Sequence, residues 1–214
     1  MSTVIMGLTY RAQQAGWGND SPHIPMLNSL GEQVVMDWLQ KAVLDGSVYQ
    51  VRAGTITTPL TGDVDITDTA AEMSADAATG TTIIPVRFNY DIESLGGTLP
   101  NVALKSVAAV STAGTAFAPL PMRSDGGAAV STARVQAAGA VTVAAELATT
   151  TLRHFSGTAS AITDTDAGGV VNLLPAPVLV GPRCFYVQVG TVTTGSVYFA
   201  SFEYVEYASD LVER

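Results

Sequence analysis

Two β-strands are predicted in the stretch CFYVQVGTVTTGSVYFASFEYV, residues 184–205. Apolar side chains recur with period two in residues 184–189 and again in residues 196–205, which is the pattern of strands with a buried face. The segment between them begins and ends with Gly and is rich in Thr, so we expect the two strands to form a hairpin. The second strand is apolar or aromatic on both faces, which indicates that it lies between two layers or against a neighbouring subunit.

Similar short strands are predicted along most of the chain after Gly46. They cover residues 48–53, 82–92, 102–110, 130–137, 141–147, 150–155 and 170–180. Pro85 assigns the second of these to an edge or a bulge, and the prolines near position 176 break the last one with a bend. Ala138-Gly139 predicts a short hairpin turn, whereas residues 62–82 and 113–129 are expected to be exposed loops.

This pattern predicts an all-β protein, a two-sheet antiparallel sandwich. Eight or so short strands in 214 residues fit a jelly roll, although an immunoglobulin-like sandwich predicts a similar strand pattern. A single helix is predicted over residues 29–46, where Ser29 and Glu32 form a capping box and Gly46 ends the helix. Its apolar stripe includes Trp38. We therefore divide the chain into an extended arm (1–28), the helix (29–46) and the β-sandwich domain (47–214).

The low content of charged residues points to assembly. Only 14% of the residues are charged, against about 25% in an average soluble domain. Compositional bias alone could produce this figure, but the apolar arm and the last strand suggest where contacts between copies would lie. The predicted interface residues are Trp17, Ile24, Tyr198, Phe202 and Tyr204. Tyrosines of the last strand that simply show their rings at a surface are the alternative.

Nucleic acid and membrane are poor partners for this sequence. The net charge is -9, and the ten basic residues are not clustered, as contacts to phosphates require. No uninterrupted apolar segment reaches the roughly 18 residues of a membrane span, and the N-terminus lacks the pattern of a signal peptide.

The sequence offers little for catalysis or metal binding. His23 and His154 are far apart, and neither a nucleophile elbow nor a phosphate-binding glycine motif is present. Cys184 is alone and stands in a predicted buried strand, where it behaves as a small hydrophobe. We therefore expect no enzymatic activity and no cofactor.

One acidic cluster is the place where a metal would be expected if any binds. Asp63, Asp65 and Asp68 could supply oxygen ligands for calcium, but the EF-hand spacing is absent. A solvated acidic loop is the simpler interpretation.

The β domain from Val48 onward, and above all the closing segment GPRCFYVQVGTVTTGSVYFASFEYVEY (residues 181–207), resembles bacteriophage virion structural proteins of the single jelly-roll capsid or capsid-decoration type. The resemblance implies a virion protein, made in the host cytoplasm, that forms or cements an icosahedral shell. Its partners would be copies of itself, as trimers or hexamers, and other virion proteins. Because packaged nucleic acid is negative, we expect the acidic loops to face outward or to line channels between subunits.

A second function of a different class stays open. A β-sandwich can also serve as a binding module for carbohydrate or for a ligand on a host surface. Such modules present exposed aromatic platforms near acids or amides, and Tyr198 and Tyr204 are the candidates in this sequence.

Overall fold

The computed structural model describes residues 37–55, 57–62, 69–94, 101–136, 140–145, 149–156, 168–190 and 197–209. One helix is seen in these ranges, α1 (Trp38–Leu44). The first strands are β1 (Val48–Ala53), β2 (Leu60–Thr61), β3 (Ala70–Ala71), β4 (Met73–Ala77), β5 (Thr81–Ser94), β6 (Asn101–Val107), β7 (Thr112–Ala113) and β8 (Thr115–Phe117). They are followed by β9 (Leu120–Pro121), β10 (Thr132–Val135), β11 (Val141–Thr142), β12 (Thr149–Ser156), β13 (Gly168–Asn172), β14 (Leu179–Val180), β15 (Arg183–Gly190) and β16 (Val197–Ala208).

Two large sheets form the body of the protein. The seven-stranded sheet has the order β13-β5-β16-β1-β9, with β14 also beside β5 and β2 also beside β16. The six-stranded sheet has the order β12-β6-β15-β4-β10-β8. The strand pairs within both sheets are antiparallel. One apolar cluster takes side chains from both sheets, so the prediction of an all-β, two-sheet antiparallel sandwich is confirmed.

The long strands pair in a regular order. Eight of the described strands have five or more residues: β1, β4, β5, β6, β12, β13, β15 and β16. Along the chain, the first of these pairs with the eighth, the second with the seventh, the third with the sixth and the fourth with the fifth. Successive pairs alternate between the two sheets, because the first and third lie in the seven-stranded sheet and the other two in the six-stranded sheet.

The last two strands, β15 and β16, face each other from opposite sides of the core. The alternation predicted for both is confirmed: Phe185, Val187 and Val189 point into the central cluster, as do Tyr198, Phe202 and Tyr204. The predicted hairpin, however, is wrong, because β15 lies in the six-stranded sheet and β16 in the seven-stranded sheet. The rings of Phe185 and Phe202 meet edge to face across the two sheets at 4.9 Å. Period-two alternation identifies which side chains are buried, but it does not say whether the partner lies beside the strand or opposite it.

A second predicted hairpin is also wrong. β10 pairs with β4 and β8, whereas β11 pairs with β3 and β7 in a separate three-stranded sheet. This small sheet covers the outer face of the six-stranded sheet, where Val141 packs near Cys184 and Tyr186. The turn glycine that suggested the hairpin lies outside the described residues.

The loop predicted over residues 62–82 contains an interior strand. β4 lies between β15 and β10, and its five residues are all buried. Its composition, Met-Ser-Ala-Asp-Ala, has low β-propensity and suggested a loop. Burial is possible because Ala75 and Ala77 face the core while Asp76 accepts hydrogen bonds from Ser111. Residues 113–129 are mostly exposed, as predicted, but include the short strands β8 and β9.

The helix predicted over residues 29–46 lies only partly within the described residues, where α1 covers Trp38–Leu44. Asp37 has a ψ of 142°, outside the helical region, and its Oδ1 accepts from the Leu39 amide at 2.9 Å, so α1 begins at Trp38. Asp is a favoured residue at this position because its side chain replaces a missing helical partner. Ser29 and Glu32 lie outside the described residues. Gly46 follows the helix with a φ of +75°, as expected for a helix-ending glycine.

α1 packs on the outer face of the seven-stranded sheet. Ala42 is buried against Val48, Val86 and Val205, with Leu39 and Val43 beside it. Trp38 is 43% exposed, so its predicted place on the buried stripe is wrong. The helix starts at this residue, and the first turn extends past the apolar patch.

The expected irregularities in two strands are confirmed. In β5 the register jumps from Arg87 opposite Glu203 to Pro85 opposite Tyr204, so Pro85 stands next to a bulge. The strand predicted over residues 170–180 is divided into β13 and β14. Both pair with β5, on the edge that faces away from β16. The strands predicted at 102–110 and 150–155 correspond to β6 and β12.

Candidate functional site

The outer face of the seven-stranded sheet is polar where α1 does not cover it. The side chains that point outward come from alternate positions of three adjacent strands, and the register aligns them in rows. Opposite one another stand Gln50–Glu203–Arg87 in one row, Arg52–Ser201–Asn89 in the next, and Phe199–Asp91 in the third. Neighbouring strands are about 4.8 Å apart and successive rows about 6.7 Å, so this grid spans about 10 Å across the strands and about 13 Å along them.

A groove lies over the second and third rows. Its volume is about 910 Å³, within the range of roughly 300–1,000 Å³ typical of small-molecule sites. The residues that line it include Gln50, Arg52, Gly54, Thr55, Thr57, Asn89, Asp91, Val170, Phe199 and Ser201. Its lining therefore combines polar and charged side chains with apolar surface, to which Tyr90 and Phe199 contribute.

Some of these polar groups are paired with each other and others are not. Arg87 and Glu203 form a two-pronged ion pair with distances of 2.6 to 3.0 Å, which neutralises the first row. In the second row, Arg52 Nε donates to Gln50 Oε1 at 2.5 Å, and Asn89 Nδ2 lies 3.4 Å from Ser201 Oγ. Among the described residues, the Asp91 carboxylate has no side-chain partner. The groove thus offers a guanidinium edge, an amide and a carboxylate that are open to an added molecule.

The space beside Phe199 depends on a glycine. Gly54 follows β1 with a φ of +71°, and a Cβ built there would lie 3.3 Å from Phe199 Cβ and 3.1 Å from two backbone atoms. The left-handed conformation and the close backbone together favour glycine at this position. Gly54 therefore lets the chain after β1 pass close to the base of the Phe199 side chain.

A second polar cluster is closed. Ser111 Oγ donates to Asp76 Oδ2 at 2.6 Å and lies 2.8 Å from Ser74 Oγ, and these residues are buried. Burial, followed by the charge of Asp76, raises the pKa of the neighbouring Cys184 thiol well above its ordinary value. The thiol stays protonated and is covered by the three-stranded sheet, so this cluster is suited to holding the sheet in place and not to nucleophilic chemistry.

A third cluster joins β16 to the segment before β10. The Glu206 carboxylate accepts hydrogen bonds from the amides of Val130 and Ser131 at 2.8 and 2.9 Å, and from the Ser131 hydroxyl. Ser131 Oγ also lies 2.6 Å from the Tyr204 hydroxyl. Burial raises the pKa of Tyr204 above its ordinary value, more than the hydrogen bond to Ser131 lowers it. The polar groups of these residues are thus hydrogen-bonded to one another at the rim of the core.

The structure changes the predicted site in several places. Tyr198, Phe202 and Tyr204 are at most 1% exposed within a single chain, so they fill the core and cannot serve as an interface or a sugar platform. Their rings sit between the two sheets because they occupy the inward positions of β16. The described part of the chain does not include the remaining predicted residues, which are Trp17, His23, Ile24, Asp63, Asp65 and Asp68. His154 belongs to β12, but its side chain is also outside the description.

The groove was missed by sequence reasoning, although a signal for it exists. Polar residues occupy every second position in three strands, for example Arg87-x-Asn89-x-Asp91 in β5 and Ser201-x-Glu203 in β16. Each run alone suggests only a solvated face. The runs become one site because β5, β16 and β1 are neighbours, and the predicted hairpin between β15 and β16 hid that order.

Six exposed apolar side chains lie in two groups toward opposite edges of the seven-stranded sheet, whereas Trp38, Val110 and Val130 are exposed but belong to neither group. The β9-end group consists of Leu44, Leu120 and Met122, which are 40 to 49% exposed. It is held together by Arg123, which donates to the Leu44 carbonyl at 2.6 Å, and by the Met122 amide, which bonds to β1. The β13-end group consists of Val170, Leu174 and Val178, which are 51 to 64% exposed and lie on or between β13 and β14.

Among the described residues, no group of three or more His, Cys, Asp or Glu side chains is arranged to hold a metal ion. In the same part of the chain, no helix has the length and apolarity needed to cross a membrane. No protein-family model, no curated protein and no solved structure matches the chain. The candidate site is thus a groove of polar and aromatic side chains on one sheet face, between two apolar groups at the sheet edges.

Proposed function

We propose that the protein is a virion structural protein that forms or cements an icosahedral shell through repeated contacts between its copies. The observation that carries the proposal is the pair of exposed apolar groups at opposite ends of one sheet. Single exposed apolar residues are common, but two groups of three on a chain with only 14% charged residues favour contact with other molecules.

The two groups suit a head-to-tail contact. The β9-end group of one copy would pack on the β13-end group of the next, and both would be buried. Because such a contact joins two different surfaces, it repeats around a symmetry axis and closes into rings when the rotation allows. Trimers or hexamers of this kind are the building units of a closed shell.

The form of the sheet ends also favours side-chain packing over strand addition at the β9 end. β9 has only two residues and ends in Pro121, which cannot donate a ladder hydrogen bond. Short, proline-containing edge strands resist uncontrolled pairing with other chains. A contact at this end would therefore rely on Leu120, Met122 and Leu44, whose geometry is fixed by their own chain.

The strand order supports a jelly-roll assignment within the sandwich class. A jelly roll holds eight strands in two sheets through Greek-key connections. Pairing of the first long strand with the eighth, the second with the seventh, the third with the sixth and the fourth with the fifth is what results when one long antiparallel ribbon is rolled into two sheets. This order agrees with the resemblance to single jelly-roll capsid and decoration proteins.

The net negative charge of the chain favours contacts with other proteins over contacts with the packaged nucleic acid. A net charge of -9 repels nucleic acid, so the proposed partners are copies of the chain and other virion proteins. The proposed location is accordingly the virion, after synthesis in the host cytoplasm.

The full-length protein is expected to form capsomers or closed particles at micromolar concentration. The chain has a mass of 22.1 kDa, so a trimer or hexamer is readily separated from a monomer by size-exclusion chromatography with light scattering. Negative-stain images would give the symmetry. A single monomeric species over the whole concentration range, alone and with co-expressed virion proteins, would contradict the proposal.

Charge placed in the β9-end group is expected to break the assembly. Leu120→Glu or Met122→Glu would bury a carboxylate in the proposed contact, which costs several kcal/mol per ion and should lower the association constant at least tenfold. The matched control is Val110→Glu, because Val110 is similarly exposed at 47% but lies in the loop after β6, outside both groups. Equal assembly of all three variants, or loss of assembly in the control alone, would rule out the head-to-tail contact.

A further inference from the structure

We propose that the groove on the seven-stranded sheet binds a short oligosaccharide. The site goes beyond shell assembly, because it lies between the two apolar groups and uses none of the residues that we assign to the contact between copies, except Val170 at its margin. The proposal rests on the arrangement of Arg52, Asn89, Asp91, Ser201 and Phe199.

The polar groups of the groove complement vicinal hydroxyls. A sugar hydroxyl both donates and accepts, so a site for it needs acceptors and donors side by side. Asp91 supplies an acceptor carboxylate, Arg52 supplies donors that point from its planar guanidinium, and Asn89 supplies one of each. Asp91 and Asn89 stand two residues apart on β5, which places their side chains on the same face about 6.7 Å apart. That spacing allows both to reach hydroxyls of a single ring or of two linked rings.

Several of these groups are held in place before a ligand arrives. Arg52 is fixed by its bond to Gln50, and Asn89 is supported by Ser201. The ion pair between Arg87 and Glu203 neutralises both charged groups of the neighbouring row. Pre-positioned side chains reduce the entropy lost on binding.

Phe199 provides an apolar surface beside the polar groups. It stands directly opposite Asp91 in the register and lines the groove. The C–H faces of a pyranose ring are apolar, and their burial against an aromatic ring adds dispersion and hydrophobic stabilisation. An aromatic side chain next to an acid and an amide is therefore suited to a sugar ring.

Other ligand classes fit the groove less well. A polyanion such as nucleic acid would meet the unpaired Asp91 carboxylate and only one unpaired cation, Arg52. A lipid or other apolar molecule would remove water from the Asp91 carboxylate, which has no side-chain partner among the described residues, at a cost of about 1–3 kcal/mol or more for a charged group. The balance of opposite charges favours a neutral, hydroxyl-rich molecule.

The test uses the full-length protein on an array of neutral hexose, N-acetylhexosamine and acidic oligosaccharides, followed by calorimetric titration with maltotetraose and chitotetraose. We expect binding to at least one neutral oligosaccharide. Asp91→Ala and Phe199→Ala should each lower its affinity at least tenfold. The matched control is Asp125→Ala, because Asp125 is an exposed acid that pairs with Arg123 outside the groove. The affinity of this variant for the oligosaccharide should stay within twofold of that of the unchanged protein.

Each other outcome overturns the proposal. Absence of binding across the array, or equal affinities for the unchanged protein and both groove variants, would mean that the groove is not a sugar site. If residues 1–28 of a neighbouring copy occupy the groove instead, the array gives no binding and the two groove variants change the mass of the assembly. Failure of shell assembly leaves the sugar titration unaffected, so the two proposals can fail separately.

Discussion

Replacing Phe202 by alanine is expected to lower the free energy of unfolding by about 3–5 kcal/mol, the usual cost of removing a buried phenylalanine. Phe202 is fully buried and meets Phe185 of the opposite sheet edge to face at 4.9 Å. It also lies 6.1 Å from the ring of Tyr204, so its loss would leave a cavity at the contact between the two sheets. The measurement is urea unfolding followed by fluorescence and circular dichroism.

Phe199→Ala is the matched control on the same strand. Phe199 occupies an outward position of β16, three residues before Phe202, and belongs to the groove and not to the core. Its replacement removes the same atoms but opens no internal cavity, so we expect a cost of about 1 kcal/mol or less. Equal losses for the two variants would mean that β16 does not present its even-numbered residues to the opposite sheet.

The contrast between these two phenylalanines shows what the sequence could predict about the fold. Period two along residues 196–205 separates the even-numbered from the odd-numbered positions and predicts the buried face without knowledge of any partner. The partner itself is non-local: β16 pairs with β5 and β1, more than 100 residues earlier. A hairpin with the adjacent strand was the simplest expectation, and only the three-dimensional arrangement shows that β15 belongs to the other sheet.

Strand β4 shows a second limit. Its sequence, MSADA, lacks the β-branched and aromatic residues that identify strands, because it runs between two neighbours in a place where small side chains fit. The cost of burying Asp76 is offset by hydrogen bonds from Ser111, which lies 35 residues away. Packing of this kind overrides the low β-propensity of the segment, and no pattern in the local sequence predicts it.

The candidate site was even harder to predict from the sequence than strand β4. Alternate polar residues in each of three strands were visible, but a groove needs the lateral order of those strands and the exact row in which each residue stands. The sequence favours Tyr198 and Tyr204 as the aromatic candidates because tyrosine is common at binding surfaces. The structure buries both and leaves Phe199, a residue with no polar handle, beside Asp91.

The free energy of unfolding is expected to fall as the pH rises above about 9, because the fold retains protons that the unfolded chain releases, above all those of Cys184 and Tyr204. Burial, followed by the charge of Asp76, raises the pKa of the Cys184 thiol well above its ordinary value of 9.0. Burial also raises the pKa of Tyr204 above its ordinary value of 10.0. Below about pH 8 both groups are protonated in both states, so they contribute no pH dependence there.

Above that range the folded state binds more protons than the unfolded state, and stability must decrease with pH. Each group contributes a slope of at most about 1.4 kcal/mol per pH unit, first from Cys184 near pH 9 and then from Tyr204 as well near pH 10. Urea unfolding under reducing conditions at pH 7, 9, 10 and 10.5 would measure the decrease. In Cys184→Ala the part that begins near pH 9 should vanish, at the cost of about 1 kcal/mol at neutral pH for the lost packing. A constant free energy of unfolding from pH 7 to 10.5, or a variant that follows the unchanged protein, would mean that the thiol is not enclosed by the three-stranded sheet.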